Sequence, residues 1–260
     1  PSNDYLRKYK QHTNYNAINL YGTYSFDLGP DHHFKLMAGF NQESSYQETV
    51  DVYSYGQAVI EVPSLGGGTS TLTAKDYYNE FAVRGGFFRV NYNYKDKYLF
   101  EANGRYDGSS KFPKDSRFGF FPSVSVGWNI AQEAFMEKTQ DWLGMLKIRA
   151  SYGMIGNQNI ATYAFVPSMS INNKYNGWLI DKNYVTAITS LPSLVSSTFT
   201  WEKVGTTNVG VDFSLFNNRL SGLFEWYQKD TKGMLAPGMQ LPAVVGTSAP
   251  FQNTADMRTR

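Results

Sequence analysis

One pattern constrains this chain more than any other, namely the one-by-one alternation of apolar and polar residues along eight separate runs. In one run, Val124 and Val126 alternate with Ser123 and Ser125. Successive side chains of a β-strand point to opposite faces, so this period of two predicts strands with one apolar and one polar face. The runs lie at 18–28, 33–41, 88–94, 98–107, 118–130, 146–153, 208–215 and 220–227. Eight such segments of about ten residues are typical of the wall of a transmembrane β-barrel.

The connections between these runs differ in length in a regular way. Turns rich in Gly, Pro, Asp or Asn stand at 29–31, 95–97 and 217–218. Long loops are predicted at 43–79, 108–116, 155–199 and 229–260. Because each strand reverses direction, the short turns share one end and the long loops the other. Outer-membrane barrels sort their connections in this way, with short periplasmic turns and long extracellular loops.

The end with the short turns has two further predicted features. The longer segment 131–145 is expected to hold a short helix with Phe135, Trp142 and Leu143 as its apolar stripe. Aromatic residues near the turns are expected to form a girdle at the membrane boundary. These residues are Tyr92, Tyr94, Tyr98 and Trp128.

Composition excludes several other classes of protein. The 24 Lys and Arg residues nearly balance the 22 Asp and Glu residues, which argues against a nucleic-acid-binding protein. Cysteine is absent, so disulfide scaffolds, Cys-ligated zinc and thiol catalysis are excluded. No run approaches the roughly 20 apolar residues of a membrane-spanning helix. An all-β protein remains, either a barrel wall facing lipid or a soluble β-sandwich with one buried face per strand.

Four blocks of sequence resemble one family of membrane proteins. They include YNYKDKYLFEANGRYDGSSKFPKDSRFGFFPSVSVGWNIAQEAFM and LKIRASYGMIGNQNI. The blocks lie in the same order as in that family, at 92–136, 146–160, 200–235 and 241–258. They resemble the SusC/RagA family of TonB-linked outer-membrane transporters of Bacteroidetes.

The resemblance implies an all-β, antiparallel transmembrane β-barrel wall of about eight strands, which belongs to a larger barrel of about 22 strands with a plugged lumen. Residues 1–260 are then all part of a TonB-dependent receptor β-barrel domain. We expect the plug domain, the signal peptide and the C-terminal strands of the family to be absent from this stretch.

The resemblance also implies active import of oligosaccharides, or of peptides, across the bacterial outer membrane. The TonB complex supplies the energy through the missing N-terminal part, and a SusD-like surface lipoprotein covers the extracellular loops as a lid. The lipid bilayer is the remaining expected partner, and nucleic acid is not one. A soluble β-sandwich glycan-binding module and a barrel-borne outer-membrane enzyme are the alternatives.

The sequence contains no recognisable catalytic, metal or cofactor motif. His32 and His33 follow Asp31, but the only other histidine is His12, and two adjacent histidines make a poor metal site. The glycines at 66–68 lack the lysine of a phosphate-binding loop. We therefore predict no catalytic residue, no bound metal and no cofactor. The carboxylates at lumen-facing positions, Glu101, Glu202, Asp212 and Glu225, are interpreted as members of a salt-bridged lumen wall or as contacts to the plug domain.

The loop 155–199 is the best candidate for a binding site. It carries Tyr163, Asn172, Asn173, Tyr175 and Trp178. Aromatic faces beside amide groups suit sugar rings, which present C–H faces and hydroxyl edges. These five residues are the predicted contacts to the substrate or to the lid. The alternative is that the aromatic residues pack loop against loop over the mouth of the barrel.

Overall fold

The computed structural model describes residues 5–139, 141–172, 179–180, 183–184, 188–196 and 199–260. The long strands are β1 (Tyr5–Leu28), β2 (His32–Tyr55), β3 (Thr73–Tyr94), β4 (Tyr98–Ser109), β5 (Phe118–Asn129) and β6 (Leu143–Asn157). Four strands of two residues follow, β7 (Ile171–Asn172), β8 (Leu179–Ile180), β9 (Asn183–Tyr184) and β10 (Ile188–Thr189). The last strands are β11 (Glu202–Leu215), β12 (Leu220–Pro237) and β13 (Phe251–Thr259). Short 3-10 helices lie at Leu65–Gly67, Lys114–Ser116, Ile130–Gln132, Ala134–Thr139 and Ala243–Val245.

The nine longest strands form a single antiparallel sheet, which confirms the predicted all-β architecture. Their order is β1-β2-β3-β4-β5-β6-β11-β12-β13, so each long strand lies beside the long strand that follows it in the chain. This up-and-down arrangement is that of a barrel wall. A sandwich needs two sheets packed face to face. Among the described residues the other sheets are only the two-stranded pairs β7–β10 and β8–β9.

The wall has one more strand than the sequence predicted. The ninth strand, β13, lies within the segment 229–260, which was predicted to be a loop, and pairs with β12. The pairing of the two strands shifts register twice, once between Thr231 and Met234 and again at Leu235. Only three of the nine β13 residues are apolar, so its alternation is too weak to detect from sequence.

Strands β1 to β3 are also longer than predicted. They contain 24, 24 and 22 residues, whereas a tilted membrane strand needs about 9–11. The predicted loop 43–79 is consequently reduced to residues 56–72. The strand halves remote from the short turns are polar on both faces, as in KYKQHTNYN. Without an apolar face these halves carry no periodic signal, although their backbones still pair.

The chain divides into two compact units. The first contains residues 1–19 and 41–83, and the second contains residues 20–40 and 84–260. Strands β4, β5, β6, β11 and β12 all belong to the second unit.

The register of the second unit gives the sheet two chemically distinct faces. One cross-strand row contains Phe100, Val126, Ala150, Val209 and Trp226, from β4, β5, β6, β11 and β12 in turn. All five side chains are apolar and lie on one face, because residues paired across a ladder share a face. The predicted outward-facing positions are therefore in register across five strands.

The adjacent row in the same register is polar. It contains Glu101, Ser125, Ser151, Asn208 and Tyr227 on the same five strands. Because the row is displaced by one residue along each strand, its side chains point to the opposite face. This is the face that the sequence assigns to the lumen.

Most of the large apolar side chains of the described residues are exposed rather than packed into a core. The chain exposes 18207 Å², whereas a globular protein of this mass exposes about 11,500 Å². In the described part of the chain the buried hydrophobic residues are Phe112, Phe121, Ala131, Leu143, Phe199 and Trp201. A wall whose apolar face meets lipid accounts for this distribution.

The segment 131–145, which was predicted to hold a short helix, contains two short 3-10 helices at Ile130–Gln132 and Ala134–Thr139. The predicted apolar stripe does not form, because Trp142 and Leu143 lie outside these helices. Of the predicted apolar stripe only Leu143 is buried, while Phe135 is 68% exposed and Trp142 is 46% exposed. A short helix depends on packing along one face, and here a single side chain provides it. Among the described residues, no helix has the length and apolar character needed to cross a membrane.

Candidate functional site

The polar face carries an ion cluster that spans three strands. Arg149 of β6 donates to the Glu225 carboxylate of β12 at 2.9 Å and lies 3.3 Å from the Asp212 carboxylate of β11. The Asn208 amide donates to the same Glu225 carboxylate. The two carboxylates are thus held by one guanidinium group rather than paired with each other. This confirms the interpretation of these carboxylates as part of a salt-bridged lumen wall.

A second polar network lies on strands β3 and β4. The Glu101 carboxylate accepts hydrogen bonds from the amides of Asn91 and Asn103, the latter at 2.7 Å. Arg89 Nε donates to the side-chain oxygen Oδ1 of Asn103 at 2.6 Å. The side chain of Asn103 therefore links a cation to an anion. Amide-rich networks of this kind present many donors and acceptors with little net charge.

Between these networks the polar face forms an open cavity of about 630 Å³. Charged and amide side chains from β1, β2, β4, β6 and β11 contribute to its lining, among them Asp27, Lys35, Glu101, Arg149 and Asn208. The mixture of charges suits a polar occupant, since an apolar one would leave these groups without hydrogen bonds.

The predicted aromatic girdle is present at the end with the short turns. Tyr94 stacks on Tyr98 with ring centroids 6.2 Å apart, and Tyr98 stacks on Trp128 at 6.5 Å. The Tyr92 ring lies 4.7 Å from the ring of Phe34. The girdle therefore runs across four strands, from β2 to β5. Aromatic girdles mark the membrane boundary of outer-membrane barrels.

Glu133 ties the 130–142 connection to this girdle. Its carboxylate accepts hydrogen bonds from the Tyr98 hydroxyl at 2.7 Å, the Trp128 indole at 3.1 Å and the Lys97 ammonium group at 3.1 Å. The hydrogen bond from Tyr98, followed by those from Trp128 and Lys97, lowers the pKa of Glu133. The carboxylate thus anchors the connection to the adjacent hairpin.

Aromatic residues also lie near the opposite ends of β4 and β5. Tyr106 and Phe118 stack with centroids 5.3 Å apart, and the Arg84 guanidinium lies 5.6 Å from the centroid of Phe118. An arginine beside an aromatic ring can extend its charge into the headgroup layer. The two aromatic bands delimit the apolar face between them.

At the loop end, four buried aromatic residues form a cluster that we call the mouth cluster. It consists of Phe112, Phe121, Phe199 and Trp201. Trp201 lies 4.9 Å from Phe112 and 5.3 Å from Phe121, measured between ring centroids. Ile160 and Phe165 pack against the cluster. The cluster therefore joins the loops 110–117 and 158–201 to strand β5.

Hydrogen bonds reinforce the mouth cluster. The Trp201 indole donates to the carbonyl oxygen of Arg117 at 2.9 Å. The Asn253 side chain accepts from the Thr200 amide and donates to the carbonyl oxygens of Thr200 and Gly233. The loops 110–117 and 158–201 are thus tied to each other, and the second of them is tied to strands β12 and β13.

The loop between β6 and β11 has a paired stem. The backbone amide of Ser190 donates to the Ser170 carbonyl at 2.9 Å, and that of Ser193 donates to the Ser168 carbonyl at 2.9 Å. Serine hydroxyls add further hydrogen bonds between the two arms. Further along, β7 pairs with β10. The two arms are therefore joined before the loop reaches its central residues.

The structure describes two of the five predicted binding residues. Tyr163 lies in a turn, with a backbone φ of 62° and a side chain that is 48% exposed. Asn172 ends β7, which pairs with β10. Asn173, Tyr175 and Trp178 lie outside the described residues. The binding role of these five residues remains a prediction.

The histidines do not come together. His32 Nδ1 lies 2.9 Å from the Tyr92 hydroxyl, whereas His33 Nδ1 lies 2.6 Å from the Asp27 carboxylate. Neighbouring strand residues point to opposite faces, which separates the two rings. Within the residues that the structure describes, no group of three or more His, Asp or Glu side chains is arranged to hold a metal ion.

The sequence reasoning missed the mouth cluster. Phe112, Phe199 and Trp201 fall in or beside the predicted loops, where no period marks a buried side chain. The sequence feature that could have indicated this cluster is the presence of large aromatic residues at both ends of the polar loop 158–201. Such residues need a hydrophobic contact or a partner.

A sheet with one apolar face, an aromatic girdle near its short turns and clamped loops at the other end defines the wall of an outer-membrane β-barrel. Residues 1–260 match the family model "TonB dependent receptor-like, beta-barrel". The chain belongs to this TonB-dependent receptor family, as the resemblance to the SusC/RagA transporters indicated, and it is an outer-membrane protein that crosses the bilayer with strands.

Relatives of known name agree with this assignment. TonB-dependent receptor P3 of Formosa agariphila is 31% identical over 255 residues, covering 97% of this chain and 25% of the relative. TonB-dependent receptor SusC of Bacteroides thetaiotaomicron is 32% identical over 257 residues, covering 97% of this chain and 24% of the relative. The chain thus spans about a quarter of the length of these curated relatives.

Solved structures show the same fold. The RagAB peptide importer in its closed-closed state superimposes with a TM-score of 0.84 and 23% identity, covering 97% of this chain and 27% of that chain. The importer in its open-open state gives a TM-score of 0.84 and 24% identity, covering 98% of this chain and 27% of that chain.

Proposed function

We propose that this chain forms part of the wall of a TonB-dependent transporter that actively imports oligosaccharides, or peptides, across the outer membrane. The observation that carries the proposal is the contrast between the two faces of one register, apolar along Phe100–Val126–Ala150 and polar along Glu101–Ser125–Ser151. A polar lumen beside a lipid-facing surface is what a hydrophilic cargo requires. The relative SusC and the RagAB peptide importer support a transport role.

A SusD-like surface lipoprotein is the proposed partner at the loop end. The mouth cluster supports this role, because it gives the loops 110–117 and 158–201 a common base. Loops held on a common base present a preformed surface, which lowers the entropic cost of docking. The TonB complex is the proposed source of energy, acting through parts of the transporter other than this wall.

We propose no covalent step. The carboxylates on the lumen face support this, since Glu101 is held by Asn91 and Asn103, and Glu225 is held by Arg149 and Asn208. A glycosidase needs two carboxylates that flank one bond. The alternative of a barrel-borne enzyme predicts turnover of the cargo by the purified transporter, and detection of cleaved product would favour it.

Deletion of the full-length gene and complementation in a Bacteroidetes host test the transport function. Growth on a defined set of oligosaccharides and peptides should require both this transporter and an intact TonB complex. The partner should copurify with the full-length transporter from detergent-solubilised membranes. Uptake that continues without TonB would contradict the proposal.

The loop residues have a separate test. Trp178→Ala is expected to weaken binding of the cargo or of the lid, because a tryptophan in a wet loop exposes a large apolar face unless a partner covers it. Folding of the barrel should be unchanged, and Phe135→Ala at the end with the short turns is the control. Unaltered binding would place the site elsewhere.

A further inference from the structure

The first unit carries a patch of tyrosine rings to which the proposed import function assigns no role. It lies on odd-numbered residues of β1 and β2, and we call it the tyrosine platform. Its rings are Tyr5, Tyr9, Tyr53 and Tyr55. Tyr5, Tyr9 and Tyr55 are 50%, 53% and 43% exposed. Exposed aromatic surface gathered in one place marks a site of interaction.

The rings of the platform are arranged side by side. The Tyr5 centroid lies 5.9 Å from that of Tyr53 and 5.8 Å from that of Tyr55. Tyr53 and Tyr55 are 6.1 Å apart, with an angle of 11° between their planes. Several flat faces are therefore available next to one another, as a linear ligand with repeating rings would need.

A neutral ion pair fixes the centre of the platform. Arg7 donates to both oxygens of Asp51, from Nε at 2.8 Å and from Nη2 at 2.9 Å. The Arg7 guanidinium also lies 5.3 Å from the ring centroids of Tyr9 and Tyr53. Bidentate pairs of this kind have a defined geometry. The guanidinium thus holds a ring on each of two strands before any ligand arrives.

The ion pair also limits the charge that the platform presents. The hydrogen bonds from Arg7 are the main cause of a lowered pKa for Asp51, so the carboxylate is ionised and balances the guanidinium at neutral pH. The Tyr53 hydroxyl donates to the same carboxylate at 3.1 Å. The ion pair therefore adds no net charge to the platform, although Lys75 also lies close enough to help lower the pKa of Asp51.

The position of the platform along its strands places it in water rather than in lipid. A membrane strand needs about 9–11 residues, and the first turn ends β1 at Leu28. Tyr5 to Tyr9 lie at the remote end of this 24-residue strand, and Asp51 to Tyr55 lie at the remote end of β2. Their odd-numbered parity is the one that the sequence assigns to the lumen.

From these observations we infer that the tyrosine platform is a binding site for a neutral oligosaccharide on its way into the transporter. Sugar rings stack their C–H faces on aromatic rings, and their hydroxyls pair with hydroxyl, amide and carboxylate groups. The platform supplies flat rings together with the Tyr9 hydroxyl, which donates to Gln11 at 2.6 Å, and a balanced ion pair. The inference rests on the proposed import function and narrows its cargo to neutral glycans.

The test uses the full-length transporter in detergent and measures binding by calorimetry. The probes are maltohexaose, cellohexaose, xylohexaose and mannohexaose, with a neutral octapeptide as the competing class of ligand. We expect one of the oligosaccharides to bind. Tyr9→Ala and Tyr55→Ala should each weaken binding about tenfold or more, the usual effect of removing an aromatic anchor. Tyr9→Phe keeps the ring and should retain most of the affinity.

A matched control exists in the same unit, in a tyrosine pair that lies on even-numbered residues of β2 and β3. Tyr46 of β2 and Tyr78 of β3 have ring centroids 6.4 Å apart, and Tyr78 is 55% exposed. Tyr78→Ala should leave oligosaccharide binding unchanged. Each variant is checked for folding by comparing the mobility of unheated and heated samples on detergent gels. A folded barrel resists unfolding by the detergent until it is heated, so its mobility changes on heating.

The outcomes separate the site from the import function. Three results would show that the inference is wrong. The first is that none of the oligosaccharides binds, and the second is that the alanine variants of Tyr9 and Tyr55 bind as tightly as the parent. The third is that the octapeptide binds and loses affinity in Tyr9→Ala. If the oligosaccharide binds and depends on Tyr9, but its uptake by cells does not need TonB, the import function is wrong and the site stands. If uptake needs TonB but binding is unchanged when the platform tyrosines are replaced, the binding site is wrong and the import function stands.

Discussion

Replacing Val124 by arginine should destabilise the intact barrel far more than replacing Ser125 by arginine. Val124 is 40% exposed on the apolar face and pairs with Ala102 and Tyr152. Ser125, the next residue along β5, lies on the polar face and pairs with Glu101. An arginine at the first position would enter lipid, whereas one at the second would meet a carboxylate.

The magnitude follows from depth in the bilayer. A strand that rises about 3.4 Å per residue and tilts by about 40° gains about 2.6 Å of height per residue. The distance from Trp128 to Phe118 is then about 26 Å, close to the apolar band of about 25 Å. Val124 lies about 10 Å inside the boundary at Trp128, and Val126 lies about 5 Å inside it. Val124→Arg should cost about 2–4 kcal/mol, the expected value near the midplane.

Val126→Arg should cost less than Val124→Arg, because it lies nearer the boundary where the cost falls toward about 0–1 kcal/mol. Ser125→Arg should cost little. The assay is urea-induced unfolding of the full-length protein in lipid vesicles, with the folded fraction read from its mobility on unheated gels. Equal losses at Val124 and Ser125 would refute the assignment of the two faces.

Two further predictions concern the ends of the wall. Glu133 has a lowered pKa, chiefly because the Tyr98 hydroxyl donates to it. Its stabilising effect is therefore complete above the unfolded value of about 4.3 and is lost as the pH falls through the lower folded value. Glu133→Gln should flatten the dependence of the urea midpoint on pH between about 3 and 5, and an unchanged slope would contradict this. At the loop end, Trp201→Phe removes the hydrogen bond to Arg117 and should cost about 1 kcal/mol, whereas Trp201→Ala should cost about 3–5 kcal/mol. Limited proteolysis should then cut the loop 158–201 faster in the alanine variant, and equal rates in all three proteins would show that the cluster does not hold the loop.

The parts of the fold that could be predicted from sequence are those that lipid constrains. Val126 and Phe100 are apolar because they face hydrocarbon, and Ser125 is polar because it does not, so the period of two records the environment directly. The same reasoning fails for the remote halves of β1 to β3. Water surrounds both faces there, so backbone pairing forms the strand and the side chains are free of any alternation.

The candidate sites were harder to predict because they depend on contacts between distant residues. Trp201 packs on Phe112 and donates to Arg117, and both partners belong to a loop between other strands. Arg7 likewise finds Asp51 only because β1 and β2 are both long enough to extend beyond the membrane. A single sequence records the type of each residue but not these pairings, which arise from the sheet order.

Phe121 shows how the wall and the loops are connected. It occupies a position of lumen parity on β5, yet it is 6% exposed because its ring joins the mouth cluster. A methyl group at Gly156 would come within 2.1 Å of this ring, and one at Gly119 within 2.5 Å. Because the two glycines have no side chains, the Phe121 ring can occupy this space and reach the mouth cluster. A strand that faces lipid on one side thus holds, on its other side, the hydrophobic base from which the polar loops extend. The loops can then vary in length and composition while their first and last residues stay fixed to the barrel.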